Sequence, residues 1–134
     1  MKPTKIKMTS AILVMVLVTL ACGFSASTAN IKDAYMARDS QGSEKTTVFS
    51  QGEVFYCIAE LANAADDTNT KAVWYAVDAQ DTEPNFKIDE TTITQGDGSL
   101  IFSLTNNGPW PFGKYKVEIY LNDKLDRTLE FEVQ

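Results

Sequence analysis

Cys22 and Cys57 are the two cysteines of this 134-residue chain, and histidine is absent. A cysteine attacks or ligates as its thiolate, and a neighbouring imidazole usually draws that form out. Without histidine the Ser-His and Cys-His pairs, the commonest zinc ligand and the usual general base near neutral pH are all missing. Carboxylates are then the groups left for acid/base or metal chemistry. Asp66-Asp67-Thr68-Asn69 is the densest oxygen cluster, and Asp97 stands between Gly96 and Gly98. A calcium loop of the EF-hand kind needs alternating ligands, a central glycine and a distant glutamate, which neither stretch supplies. Asp89-Glu90 and Glu130/Glu132 are the carboxylate pairs. A hydrolytic pair must face across a cleft. Neighbours on a strand point to opposite faces, and i,i+2 pairs on a wet face stand in solvent. No catalytic, metal or cofactor constellation emerges, and a carboxylate-based hydrolase is the remaining catalytic alternative.

Cys22 has a different context. Lys2, Lys5 and Lys7 precede an uncharged apolar run from Ala11 to Ala21. Positive charge, a short apolar core and then small residues is the layout of a signal peptide. The run is shorter than the roughly 20 apolar residues that span a bilayer. Extending it from Met8 to Phe24 gives the alternative of an uncleaved anchor. The segment Val18-Thr19-Leu20-Ala21-Cys22 resembles a bacterial lipobox, with Ala21 in pattern and Thr19 where leucine is usual. The resemblance implies cleavage before Cys22, a diacylglyceryl group on its sulfur and acylation of the new amino group. It makes Cys22 the lipidation site and the membrane a partner through that lipid. The expected location is the extracytoplasmic face of a cell membrane. Ordinary cleavage after Ala26 is the competing reading, since Phe24-Ser25-Ala26 also offers small residues. Without residues 1–21, 9 basic residues stand against 18 acidic ones, a net charge of −9. Such a surface repels phosphate backbones, which argues against nucleic acid. It also repels anionic headgroups, so a covalent anchor is what would hold it to a membrane.

Residues 22–30 read as a small, uncharged tether and residues 31–134 as one domain. Strands are expected at Ile31–Arg38, Thr46–Phe49, Glu53–Leu61, Lys71–Ala79 and Phe86–Thr94. They continue at Leu100–Leu104, Lys114–Leu121 and Leu125–Val133. Apolar and polar residues alternate best in the last three: Leu100, Phe102, Leu104; Tyr115, Val117, Ile119, Leu121; Leu129, Phe131, Val133. Period-two alternation broken by turn signals about every ten residues predicts an all-β sandwich of about seven strands. Glu53–Leu61 and Lys71–Ala79 are apolar on both faces, so they are expected at the centres of sheets or under the N-terminal segment. Gly96-Asp97-Gly98 reads as a hairpin turn.

Gly113-Lys114-Tyr115-Lys116-Val117 resembles the Asp-x-Gly-x-Tyr-x-Cys signature of immunoglobulin-type domains, with Pro111 at the Asp position and Val117 at the Cys position. The resemblance implies an immunoglobulin- or fibronectin-III-like sandwich. It gives Tyr115 the tyrosine-corner role, its hydroxyl bonded back to the upstream backbone. It also puts Cys57 and Trp74 where the family's first cysteine and core tryptophan stand. With Val117 opposite, Cys57 has no inter-sheet disulfide partner, and it reads as a small buried hydrophobe. The stretch 113–133 is similar to the last hairpin of bacterial surface immunoglobulin-like modules.

Pro109-Trp110-Pro111-Phe112 is the loop with a surface to offer. Two prolines stiffen it, and Trp110 and Phe112 would suit a protein or glycan partner. The alternative is that Trp110 plugs the end of the sandwich. An exposed indole favours recognition, and a shielded one favours a purely structural protein. Pro-Trp loops also occur in chagasin-type protease inhibitors, but there the loop precedes the last strand, and the companion Asn-Pro-Thr-Thr-Gly motif is missing here. The sequence thus predicts a non-catalytic, lipid-anchored binding or accessory module of the cell envelope. The alternative from another class is a structural surface protein without a discrete ligand.

Overall fold

The computed structural model describes residues 28–134. The expected signal peptide, Cys22 and most of the expected tether lie outside the described residues. Eight strands follow in order: β1 (Asn30–Ala37), β2 (Val48–Phe49), β3 (Phe55–Ala62), β4 (Asn69–Ala79), β5 (Phe86–Thr94), β6 (Gly98–Leu104), β7 (Gly113–Leu121) and β8 (Lys124–Val133). They form a three-stranded sheet, β1-β3-β6, and a five-stranded sheet, β2-β8-β7-β4-β5. Every pair is antiparallel except the short β2–β8 contact. The protein is an all-β sandwich of immunoglobulin-like architecture.

The two strands that are apolar on both faces are interior: β3 lies between β1 and β6, and β4 between β7 and β5. Phe55, Cys57, Ala59 and Leu61 of β3 face the core, and Ile58 on the opposite register is buried as well. Thr70, Ala72, Trp74 and Ala76 of β4 pack inward, while the wet faces of β7 and β8 carry the charges that alternate with their core residues. β5, the strand with the weakest apolar signal, is an edge and is exposed over most of its length.

The Gly96-Asp97-Gly98 turn does not close a hairpin. β5 pairs with β4 and β6 with β3, so this turn carries the chain from one sheet to the other. A Cβ on Gly96 would lie 2.9 Å from the Asp66 carboxylate and 3.1 Å from the Ala64 carbonyl. The bare glycine lets the corner nest against the β3–β4 loop, and the Asp97 carboxylate accepts the Ala64 N–H at 2.7 Å. Asn122-Asp123, by contrast, makes a tight hairpin, with both residues at positive φ as a type I′ turn requires.

Six aromatic rings form the heart of the core: Phe49, Phe55, Trp74, Trp110, Tyr115 and Phe131. One polar atom sits amiss in the interior. The Thr70 hydroxyl is fully buried with no hydrogen-bond partner among the described residues. A buried hydroxyl without a partner costs about 1–3 kcal/mol. Thr70→Val keeps the shape and removes the orphan, so chemical denaturation should find the variant more stable by about 1 kcal/mol. A loss of stability would mean that the hydroxyl is satisfied in solution.

Candidate functional site

The strand pairings divide the sandwich into two poles. At one, β1 begins beside the end of β3, and the β3–β4, β5–β6 and β7–β8 turns gather. At the other lie the Pro109–Phe112 loop, the start of β7, the end of β8 and Gln134.

At this second pole Trp110 is 4% exposed, and its indole stacks on Phe55 with ring centroids 4.4 Å apart. The indole N–H donates to the Glu53 carbonyl at 3.0 Å. The Trp110 backbone N–H donates to the Gln51 carbonyl at 2.9 Å, and the Gln51 side-chain amide donates to the Trp110 carbonyl at 2.9 Å. Trp110 is therefore part of the frame. Its burial satisfies both the apolar ring and the polar N–H, the pairing a buried tryptophan needs. The indole offers no free face to a ligand. Gln51 and Glu53, its anchors, are nearly sixty residues away in sequence, and nothing in their types marks them beforehand.

One residue on, the loop is fastened again. The Tyr115 hydroxyl donates to the Pro111 carbonyl at 2.6 Å, the hydrogen bond of a tyrosine corner. Burial pushes the Tyr115 hydroxyl pKa up to about 12, so it stays protonated as a donor. The Phe112 carbonyl accepts the Gln80 N–H at 2.8 Å, which ties the loop to the end of β4. Tyr115→Phe should destabilise the fold by about 1–2 kcal/mol, since it leaves a carbonyl unpaired under a buried ring. Urea unfolding of the two proteins measures this, and no difference would mean the corner is ornamental.

Between these fastenings Phe112 is 46% exposed. The loop thus holds its backbone on both sides and turns one aromatic ring outward. Phe112 stands immediately before β7, whose Lys114 and Lys116 lie on the outer face of the five-stranded sheet. A shallow groove of about 760 Å³ runs along that face, lined by Thr47, Val77, Lys114, Lys116, Glu130 and Glu132 among others. Lys114 pairs across with Glu132, and Lys116 with Glu130. Deeper along the sheet the side chains are linked. Lys116 makes an ion pair with Glu118 at 3.3 Å and stands 4.9 Å over the Tyr75 ring. The Tyr120 hydroxyl donates to Glu118 at 3.1 Å, and Lys71 lies 4.9 Å over the Tyr120 ring. Val73 is buried beneath this layer. An exposed aromatic beside a groove with alternating charges has the anatomy of an interface: a hot-spot ring and a polar rim.

The remaining candidates lie elsewhere. Trp74 is 1% exposed at the centre of the core. Cys57 is fully buried, and burial pushes its thiol up to about 12, the nearby Arg127 charge acting weakly in the opposite sense. It stays a protonated thiol at neutral pH. Arg127 itself was not marked by sequence. It reaches from β8 across the open edge of the sandwich to the Ile31 carbonyl of β1, a contact between residues 96 positions apart. Asp66 and Asp67 are exposed, and Asp97 holds the Ala64 amide. Asp89 accepts its neighbour's N–H, while Glu90 is held below the usual carboxylate range by its hydrogen bond and ion pair with Lys87. Among the described residues no three His, Cys, Asp or Glu side chains converge to hold a metal ion.

No family model matches the sequence, and no curated protein matches it. Among solved structures, the fold is similar to an immunoglobulin-like protein from Pseudomonas aeruginosa, with a TM-score of 0.55 and 14% identity, over 82% of this chain and 99% of that one. It is also similar to part of an alkylpurine DNA glycosylase from Pseudomonas fluorescens, with a TM-score of 0.52 and 16% identity, over 81% of this chain and 31% of that one. At these identities the likeness is one of architecture: an immunoglobulin-like sandwich.

Proposed function

We propose that this chain is a non-catalytic, protein-binding module held on the extracytoplasmic face of a membrane by lipid on Cys22, and that Phe112 is the anchor of its binding surface. The observation that carries the reading is Phe112 itself. It is an exposed ring on a loop whose flanking backbone is fixed by the Trp110 stack, the Tyr115 corner and the Gln80 hydrogen bond. A side chain presented by a rigid loop loses little conformational entropy on binding. The groove beginning at Lys114 and Glu132 supplies polar groups beside it for specificity. The immunoglobulin-like fold suits such a role but does not assign a ligand.

A photo-crosslinking residue at position 112 in the living cell tests the surface. A discrete adduct is expected there and not at Glu83, an exposed position at the same pole, and it should disappear with Lys116→Glu. An identical pattern at both positions, or none at 112, would sink the binding reading. The intact mass of the mature chain tests the anchor, because a chain without acyl groups at Cys22 is not a lipoprotein. The shielded indole of Trp110 favours the second reading, a structural surface protein without a discrete ligand, and the absence of a site-specific adduct would select it.

A further inference from the structure

The sandwich has a fixed attachment point at one pole. The Thr28 hydroxyl donates to the Asn63 carbonyl at 3.0 Å, and the Asn63 amide donates to the Asn30 side-chain carbonyl at 3.2 Å. The chain entering β1 is thereby fastened to the β3–β4 loop. That loop is stitched to the others around it. Asp97 accepts the Ala64 N–H at 2.7 Å, and the Thr68 carbonyl accepts the Gln95 N–H at 3.1 Å. The Asn122 side chain accepts the Asn69 N–H at 3.0 Å. The whole pole is one connected plate, and the chain leaves it from a defined place.

We infer that this plate faces the bilayer and that the opposite pole, with Phe112, is turned away from it, toward a partner that is not lipid. The inference rests on the acylation of Cys22 proposed above. Five residues separate Cys22 from Thr28. A chain of that length spans at most about 20 Å, even fully extended. The nine-residue strand β7 runs from Gly113 at the Phe112 pole to Leu121 at the plate, a length of about 30 Å. The tether is thus shorter than the domain, and the plate is held nearer to the lipid. Charge opposes the tether and limits how closely the plate approaches an anionic surface. Asp66, Asp67, Asp97 and Asp123 crowd the plate against Lys124, so it stands off an anionic headgroup layer rather than embedding in it. The domain works as a short spacer that sets Phe112 and its groove away from the membrane surface.

The test uses the full acylated chain in phosphatidylcholine vesicles that carry an energy acceptor on their headgroups. A donor dye is placed through Asp67→Cys at the plate or Glu83→Cys at the far pole, both exposed positions. The buried Cys57 thiol stays unlabelled in the folded protein. Transfer from position 67 is expected to be severalfold stronger than from 83. Equal transfer, or stronger transfer from 83, overturns the orientation. Co-sedimentation with the vesicles is read separately, and a chain that stays in the supernatant overturns the anchor and the orientation with it.

Discussion

Phe55→Ala is expected to lower the unfolding free energy by about 4 kcal/mol, the cost of emptying a large aromatic site in a packed core. Domains of this size have a total of about 5–15 kcal/mol, so the variant should sit close to unfolding at growth temperature. The reason lies in where the ring stands. Phe55 opens β3 in the three-stranded sheet. Its neighbours are Trp74, Tyr115 and Phe131 from the five-stranded sheet, Phe49 from β2 and Trp110 from the loop, with centroid distances of 4.4 to 6.5 Å. It is therefore the ring through which the small sheet meets the aromatic cluster of the large one. Removing it unstacks Trp110, leaving the indole to its N–H bond to Glu53 and its edge contact with Tyr115 while the backbone stays tied to Gln51, so the loop that presents Phe112 loosens too. Thermal unfolding should show a midpoint lower by roughly 15–30 °C, and near-ultraviolet dichroism should lose much of the tryptophan signal. Phe55→Leu, which keeps most of the volume, should cost far less. An alanine variant within about 1 kcal/mol of the parent would show that the site collapses freely and that Phe55 is not the hub.

The strands were legible because alternation reports burial directly. Tyr115, Val117 and Ile119 are core residues for the same reason that they are spaced by two. The tyrosine corner was legible through resemblance: Gly113-Lys114-Tyr115 matches part of the immunoglobulin-type signature, which implies a hydroxyl bonded to the upstream backbone, and it reaches Pro111. What the sequence left open are contacts made across the fold. Whether Trp110 faces in or out depends on Phe55, Gln51 and Glu53, none of them close in the chain. The loop composition suits either outcome, and only the partners decide. The Gly96–Gly98 turn looked like a hairpin because glycine-rich turns serve hairpins and sheet-to-sheet corners alike. The choice was made by which neighbours β5 and β6 found, β4 and β3. Arg127 reads as one charge in an alternating strand, yet it closes an edge of the sandwich on Ile31. The candidate surface is a case of the same kind, because Phe112 is prominent only once Trp110 is known to be buried.

Gly113→Ala should be as damaging as the loss of Phe55, although it adds a single methyl. Gly113 begins β7 directly after Phe112, with φ at +146°, a backbone conformation that side chains rarely adopt. A Cβ there would lie 2.3 Å from the Asp78 carbonyl and 2.5 Å from the Ala79 Cα. Both are backbone atoms of β4, near the register shift between Ala76 and Asp78 where β4 presses toward β7. Neither can move cheaply, because Ala79 is paired to Gly113 itself and Phe112 is tied to Gln80 just beyond. Backbone strain of about 1–3 kcal/mol and overpacking of about 1–3 kcal/mol then fall on the same residue, and a total near 4 kcal/mol is expected. Gly52→Ala is the matched control, since a Cβ at Gly52 meets nothing within 4 Å. It should leave stability unchanged or raise it by up to about 1 kcal/mol through the unfolded chain. Denaturant titration of the two variants therefore separates a glycine required by close approach from one that merely occupies a turn, and equal midpoints would remove that distinction. The site follows the same logic. If β7 and β4 must part to admit the methyl, the Phe112 ring shifts with them. Crosslinking from position 112 should then fall in Gly113→Ala under conditions where the chain is still folded, while Gly52→Ala keeps it.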